Sequence, residues 1–177
     1  MYSNNLYNHF TYFAMQNRIS TDRLQLDLLT PDDHEFILSI VNSSGWIEFI
    51  GDRNVHSKDD ALAYIDRIRN TQNLYYWVAR LKDGNTPIGI ISFLKRDYLE
   101  HFDIGFALLP EFQGHGYAYE GAKGILEMVN GHPEYHPVLA TTLPQNVSSI
   151  QLLVKLGLRF EKEMEVGEDV LHIYTNA

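Results

Sequence analysis

The stretch Asp103-Ile104-Gly105-Phe106-Ala107-Leu108-Leu109-Pro110-Glu111-Phe112-Gln113-Gly114-His115-Gly116-Tyr117-Ala118 restricts the fold more than any other part of the chain. An apolar strand pattern runs into a turn with two glycines, and a helical pattern starts at once. Ala118, Ala122, Ile125, Leu126 and Val129 then fall on one face of a helix expected over Gly116 to Asn130. Gly114 and Gly116 let the main chain approach a ligand closely. The free N–H groups of the first helical turn point back into this loop, and with the helix dipole they form an anion site suited to a diphosphate. Other turns share part of this pattern. A dinucleotide fingerprint needs a third small residue where Tyr119 stands and an acidic residue on the following strand, and a P-loop needs Gly-Lys-Ser/Thr. An ordinary strand-to-helix turn would bind nothing.

The flanking patterns place this unit within one mixed α/β domain. Leu24, Leu26 and Leu28 alternate with polar residues, as in a half-buried strand. Thr30-Pro31-Asp32-Asp33 caps a helix with Phe36, Ile37, Ile40 and Val41 on one face, broken at Ser43-Ser44-Gly45. Ser57-Lys58-Asp59-Asp60 opens a second helix, closed near Asn70 to Asn73. Leu74 to Leu81, Pro87 to Leu94 and Phe102 to Leu109 read as an antiparallel meander with short connections. Val138 to Leu143 is a strand, a helix runs from about Asn146 to Leu156 and ends at Gly157, and Leu158 to Met164 and Val170 to Tyr174 close as a hairpin. The order β-α-α-β-β-β-α-β-α-β-β contains one parallel crossover, from Phe102 to Leu143.

Composition narrows the function classes. The 177 residues suit one domain, and 45% hydrophobic residues suffice for a core. There is no cysteine, so disulfides, cysteine-ligated zinc and a cysteine nucleophile are excluded. That is compatible with a cytoplasmic protein. The net charge of -9 comes without a cluster of Lys and Arg, so no nucleic-acid partner is expected. An acidic surface attracts cationic ligands such as amines, or simply keeps the protein soluble. The longest apolar run, Ile88 to Leu94, is far too short for a bilayer, so no membrane partner is expected. The eight histidines are scattered without a ligand pattern, so no metal is expected. Residues 1–19 read as an N-terminal extension (an arm, a lid or a dimer contact), with Met15 as an alternative start and no secretory signal. The domain is expected over 20–177.

Gln113-Gly114-His115-Gly116-Tyr117-Ala118 matches the Gln/Arg-x-x-Gly-x-Gly/Ala signature of the GNAT superfamily of acyl-CoA N-acyltransferases. Asn146-x-x-Ser149, followed by Leu152-Leu153-Val154-Lys155-Leu156-Gly157-Leu158, resembles that family's second helix motif, with Leu158 in place of the usual aromatic. Thr21-Asp22-Arg23-Leu24-Gln25-Leu26 resembles the first strand of the branch that includes the ribosomal-protein alanine N-acetyltransferases. The resemblance covers about residues 20 to 175. It implies a central, mostly antiparallel twisted sheet of about seven strands flanked by four helices. The strand at 102–109 and the parallel strand at 138–143 would splay in a V.

The resemblance further implies transfer of an acetyl group from acetyl-CoA to a primary amine, on a small molecule or a protein N-terminus, by direct attack in a ternary complex. A CoA-binding module without turnover, acting as a sensor or scaffold, is the alternative. The pantetheine arm would pair with the backbone of Phe106, Ala107 and Leu108, and the diphosphate would sit on Gln113, Gly114, His115, Gly116, Tyr117 and Ala118. Asn146 would touch the pantetheine or the strand, and Ser149 would return a proton to the leaving thiolate. Asn146 also suits an N-cap. Asp103 stands where relatives carry a Glu and could take the amine's proton, directly or through water. Glu100 and His101 could substitute for it. Relatives shape the acceptor pocket between the first two helices, which makes Trp46, Glu48 and Arg53 candidates for substrate binding. A homodimer is possible.

Overall fold

The computed structural model describes residues 15–177. The readings of a lid or dimer arm for the first residues lie largely outside this range. Strand β1 (Arg18–Ser20) pairs antiparallel with β2 (Leu24–Leu28). A short 3-10 turn, Pro31–Asp33, leads into α1 (His34–Val41), followed by α2 (Ser44–Phe49) and α3 (Lys58–Asn70). Strands β3 (Leu74–Leu81), β4 (Pro87–Lys95) and β5 (Phe102–Leu108) form the expected meander. Then come α4 (Tyr117–Val129), β6 (Leu139–Thr142), α5 (Val147–Lys155), β7 (Arg159–Val166) and β8 (Asp169–Thr175). The eight strands form one sheet in the order β1-β2-β3-β4-β5-β6-β8-β7. The only parallel neighbours among the described residues are β5 and β6.

Two elements exceed the seven strands and four helices expected. Strand β1 lies in the stretch assigned to the extension, because Met15 and Ile19 bury their side chains in the main core and Gln16 accepts a hydrogen bond from the Trp77 indole. Helix α2 forms where the chain reads as a break. Trp46 is its anchor and packs at 4% exposure against α1 and α3. Three residues of strand and six of helix are too short for a period to show in sequence.

The sheet separates two apolar layers. On one side Leu24, Leu26, Trp77, Ile91, Phe93 and Ile104 pack with Ala122, Ile125, Val129 and Leu153 of α4 and α5. On the other, Val78 and Ile90 pack with α1, α2 and α3 through Phe36, Ile37, Ile40, Trp46 and Ile65. Alternation along β3 sends Trp77 and Val78 to opposite layers. In β4, Ile88 and Ile90 also belong to opposite layers although two apart. The cause is a register shift: Ala79 pairs with Gly89 and Arg80 with Pro87, which leaves Ile88 as the extra residue of a bulge. The Ile88 carbonyl then accepts from the Leu109 N–H at 2.9 Å, which fixes the end of β5.

Gly89 sits in this bulge because nothing larger fits. A Cβ there would lie 2.6 Å from the Ala107 carbonyl oxygen and 2.2 Å from a Leu108 methyl. Backbone cannot yield as a side chain can, so Gly89→Ala must push β5 away from β4. The expected loss is about 1–3 kcal/mol in urea unfolding at pH 7. A variant as stable as the parent would show that β5 is free to move.

Candidate active site

Between β5 and β6 the ladder consists of one residue pair, Asp103 with Leu139. The rest of β5, Ile104–Leu108, keeps its bonds to β4 but has no partner in β6. Meanwhile β6 continues its pairing with β8 along its whole length, from Leu139 to Thr142. The two parallel strands therefore part at Asp103 and leave one backbone edge of β5 open. Phe106, Ala107 and Leu108 lie along that open edge, half-buried.

The chain leaves β5 through the turn Pro110–Phe112 and reaches α4 by a loop with two left-handed residues, Gly114 at φ +76° and Gly116 at φ +81°. Residues with a Cβ are strained there. Gly116 is the N-cap and offers no capping side chain. Among the described residues, no N–H from Gly114 to Tyr119 makes a well-formed hydrogen bond to a protein acceptor. These amides lie at the positive end of a 13-residue helix. Gln113, Gly114, His115 and Gly116 are exposed, and Tyr117 and Ala118 half-buried. The Gln113 side chain turns back, with its amide donating to the Leu108 carbonyl at 3.3 Å, and so ties the loop to the end of the strand.

Helix α5 brings the second motif. The Asn146 carboxamide accepts the Ser149 N–H at 3.1 Å, an N-cap interaction. The Ser149 hydroxyl is half-buried and commits to no protein partner among the described residues. The Lys155 ammonium lies 4.6 Å from the Tyr119 ring centre, which links α5 to α4. Tyr174 belongs to the core, stacked edge-on against Phe160, so it offers no phenol to this site.

Asp103 is 1% exposed. It lies at the point where the strands part and faces Arg96, whose Nε is 3.2 Å from Oδ2 and whose Nη2 is 3.4 Å from Oδ1. The Nε–Oδ2 contact forms no hydrogen bond and both atoms are buried, so the pair is held by its charge and by the single long Nη2–Oδ1 hydrogen bond. Burial pushes the Asp103 carboxyl above the usual carboxylate range. The Arg96 guanidinium, then the hydroxyl and N–H of Thr141, pull the other way without cancelling it. Glu100 is exposed and His101 half-buried, both on the turn that leads into β5. Sequence reasoning missed Arg96 and Thr141, because neither belongs to a motif and only the sheet register brings them to Asp103.

The candidate acceptor residues divide. Trp46 is buried, so its ring is core, yet its indole Nε1 has no hydrogen-bond partner. Glu48 and Arg53 are exposed. Tyr64 lies beneath Arg53 on α3; burial, then the Tyr76 hydroxyl, push its phenol up. Helix α2 stands beside the loop, since a Cβ on Gly45 would lie 3.7 Å from the Gln113 amide nitrogen.

The family of sequences described as the acetyltransferase (GNAT) domain matches residues 23–159. The chain belongs to the GNAT acetyltransferase family. It is 29% identical over 143 residues to the uncharacterized N-acetyltransferase YnaD of Bacillus subtilis, covering 81% of this chain and 83% of the relative. Its fold is similar to that of the RimL ribosomal L7/L12 α-N-protein acetyltransferase solved with coenzyme A (TM-score 0.78, 14% identity, 89% of this chain and 96% of that one). It is also similar to the ribosomal-protein-S5-alanine acetyltransferase of Vibrio fischeri (TM-score 0.74, 16% identity, 90% and 96%). No helix among the described residues is long and apolar enough to cross a membrane.

The environment of Asp103 has a measurable consequence. Its folded carboxyl holds a proton to higher pH than the unfolded one, so the native state binds more protons in the window that opens near pH 3.8. Stability is then fully present below that window and falls as pH rises through it. Asp103→Asn mimics the protonated form. The variant should match the parent in urea unfolding below the window and exceed it at pH 7. A variant less stable than the parent at pH 7 would show that the Arg96 pair outweighs burial.

Proposed function

We propose that this GNAT family member transfers the acetyl group of acetyl-CoA to a primary amine by direct attack in a ternary complex. The observation that carries the reading is the set of unbonded N–H groups from Gly114 to Tyr119, next to a strand edge left open beyond Asp103. An anion at the first and an extended amide chain at the second would satisfy backbone groups that the protein leaves unpaired. Coenzyme A is a molecule with those two parts, and RimL, of the same fold, was solved with it.

In this reading Gln113 to Ala118 hold the diphosphate, and Phe106 and Leu108 hold the pantetheine arm through their backbone; Ala107, expected to share that role, turns its own N–H and C=O to β4 and only lines the edge. Acetyl-CoA supplies the activated acyl group as a thioester. An N–H of β5 facing the open edge can stabilise charge developing on the acyl oxygen. The attacking ammonium must first lose a proton. Asp103 accepts it through water, because a carboxylate at 1% exposure cannot touch the amine. The leaving thiolate takes a proton from the Ser149 hydroxyl, which in turn takes the second proton shed by the attacking nitrogen, and the Asn146 cap on the Ser149 N–H fixes that residue's backbone at the head of α5. The acceptor approaches from the α2–α3 side, past Glu48 and Arg53. The ribosomal-protein acetyltransferases among the structural relatives make a peptide N-terminus the first acceptor to try, with small-molecule amines beside it.

The direct test is acetyl-CoA with a panel of peptides and amines, following free thiol. Thiol release that depends on the amine supports the reading. CoA binding with no release across the panel would favour a sensor or scaffold. Two variants sharpen it. A Cβ at Gly114 meets no protein atom within 4 Å, so the strain expected in Gly114→Trp is that of the left-handed backbone, about 1 kcal/mol, while the ring fills the loop. It should abolish the thermal stabilisation by CoA, worth about 2.7 kcal/mol at a hundredfold excess over Kd. Ser149→Ala should lower kcat about 10²-fold with little change in CoA affinity. Full turnover in that variant removes Ser149 from the chemistry.

A further inference from the structure

The loop that would hold the diphosphate does not stand alone. It is fastened from outside by the turn between β1 and β2, through a network that joins Thr21 and Arg23 to Glu120 of α4. Glu120 lies in the first turns of α4 and directs its carboxylate toward that turn. Its Oε1 accepts the Thr21 hydroxyl at 2.6 Å and the Arg23 N–H at 2.6 Å, and its Oε2 accepts the Arg23 Nε–H at 2.6 Å. Burial disfavours ionisation of Glu120, yet these hydrogen bonds and the guanidinium charge hold its carboxyl below the usual range. The fixed guanidinium then donates from Nη1 to the His115 carbonyl at 3.0 Å and lies 4.4 Å from the centre of the Tyr117 ring.

The bond to His115 matters because of the geometry of one peptide unit. The His115–Gly116 peptide is trans, so its C=O and N–H point in opposite directions. With the carbonyl turned to Arg23, the Gly116 N–H must face away from Arg23, on the side of the unbonded amides. Gly116 at φ +81° could otherwise swing this peptide over, because a glycine has little preference between its backbone wells. A swung peptide would aim a carbonyl oxygen where an anion is to bind.

We propose that Arg23, clamped by Glu120, is a positioning residue that sets the His115–Gly116 peptide and so aims the Gly116 N–H at the diphosphate of CoA. The proposal rests on the CoA reading above. A rival role for Arg23 is that of a cation that touches phosphate directly. The two roles differ in the sign of one substitution. Glu120→Gln removes a negative charge beside the anion site and keeps the positive charge of Arg23 while releasing its clamp. Electrostatics alone then predicts tighter CoA binding. Loss of the clamp predicts weaker binding, because the guanidinium is no longer held against the His115 carbonyl.

The experiment measures CoA affinity of the full chain by calorimetry, and kcat/KM with acetyl-CoA and with S-acetylpantetheine, which lacks the diphosphate. For Glu120→Gln we expect CoA affinity to fall about tenfold. We also expect kcat/KM for acetyl-CoA to fall by a similar factor relative to that for S-acetylpantetheine. Arg23→Lys keeps the charge but loses the fork, and should behave alike. Should Glu120→Gln not fold, Arg23→Lys and Thr21→Val decide the matter by the same ratio. Equal or tighter CoA binding in Glu120→Gln overturns the clamp, as does an equal loss with both acyl donors, which marks a merely structural role. A parent protein that binds no CoA rejects the underlying reading and the proposal with it.

Discussion

Everything in this molecule depends on where β5 and β6 stop pairing. A parallel ladder that closes after one residue pair leaves the N–H and C=O groups of an inner strand without partners, in the middle of an eight-stranded sheet. Unpaired backbone is costly when water is kept from it, so such an opening persists only if the surroundings enforce it or a ligand fills it. On one side, β4 holds β5 over its full length and fixes its far end through the bulged Ile88. On the other, β8 holds β6 along its whole length. Each strand is committed to its outer neighbour, and the gap between them is what remains.

The closed end of the gap carries the one buried acid at the site. Asp103 is both the last residue paired across the opening and a carboxylate more buried than its single cation can justify. The pair with Arg96 is only partly bonded: Nη2 donates to Oδ1 at 3.4 Å, while Nε and Oδ2 face each other without a hydrogen bond. That residual polarity, at the apex of the V, is the physical basis for proposing a part in proton transfer for Asp103, and its burial is the reason that the proposed path runs through water.

Much of this was legible in the sequence, for reasons that differ by element. Long periodic segments such as Tyr117–Val129 and the meander from Leu74 to Leu108 declare themselves, because burial on one side imposes a period. The glycine pair at 114 and 116 was readable because only glycine sits comfortably at those backbone angles. Helix α2 and strand β1 were not, since each is fixed by one or two tertiary contacts, Trp46 in one case and the pairing with β2 in the other. The partners of the site were the least visible. Arg96 with Asp103, and Arg23 with Glu120, join positions that have no periodic relation, and their meaning appears only when the sheet register and the seat of α4 are known. Thr21-Asp22-Arg23 reads as the start of a strand, and Glu120 stands in no motif.

The charge of the chain sharpens the role of that last pair. A protein with a net charge of -9 repels a polyanion at long range. The one arginine at hand, Arg23, already has its charge balanced by Glu120. On the proposed CoA reading, recognition of the diphosphate falls mainly to short-range dipoles, the N–H groups of the loop and of the first helical turn. Dipoles act only if they are aimed, because their field falls off faster with distance than that of a charge and reverses with orientation. An anion site made from amides in an acidic protein thus needs a rigid main chain where a cationic site would tolerate a loose one. On the positioning role proposed for Arg23, that requirement accounts for an ion pair whose guanidinium holds the His115 carbonyl and not a phosphate.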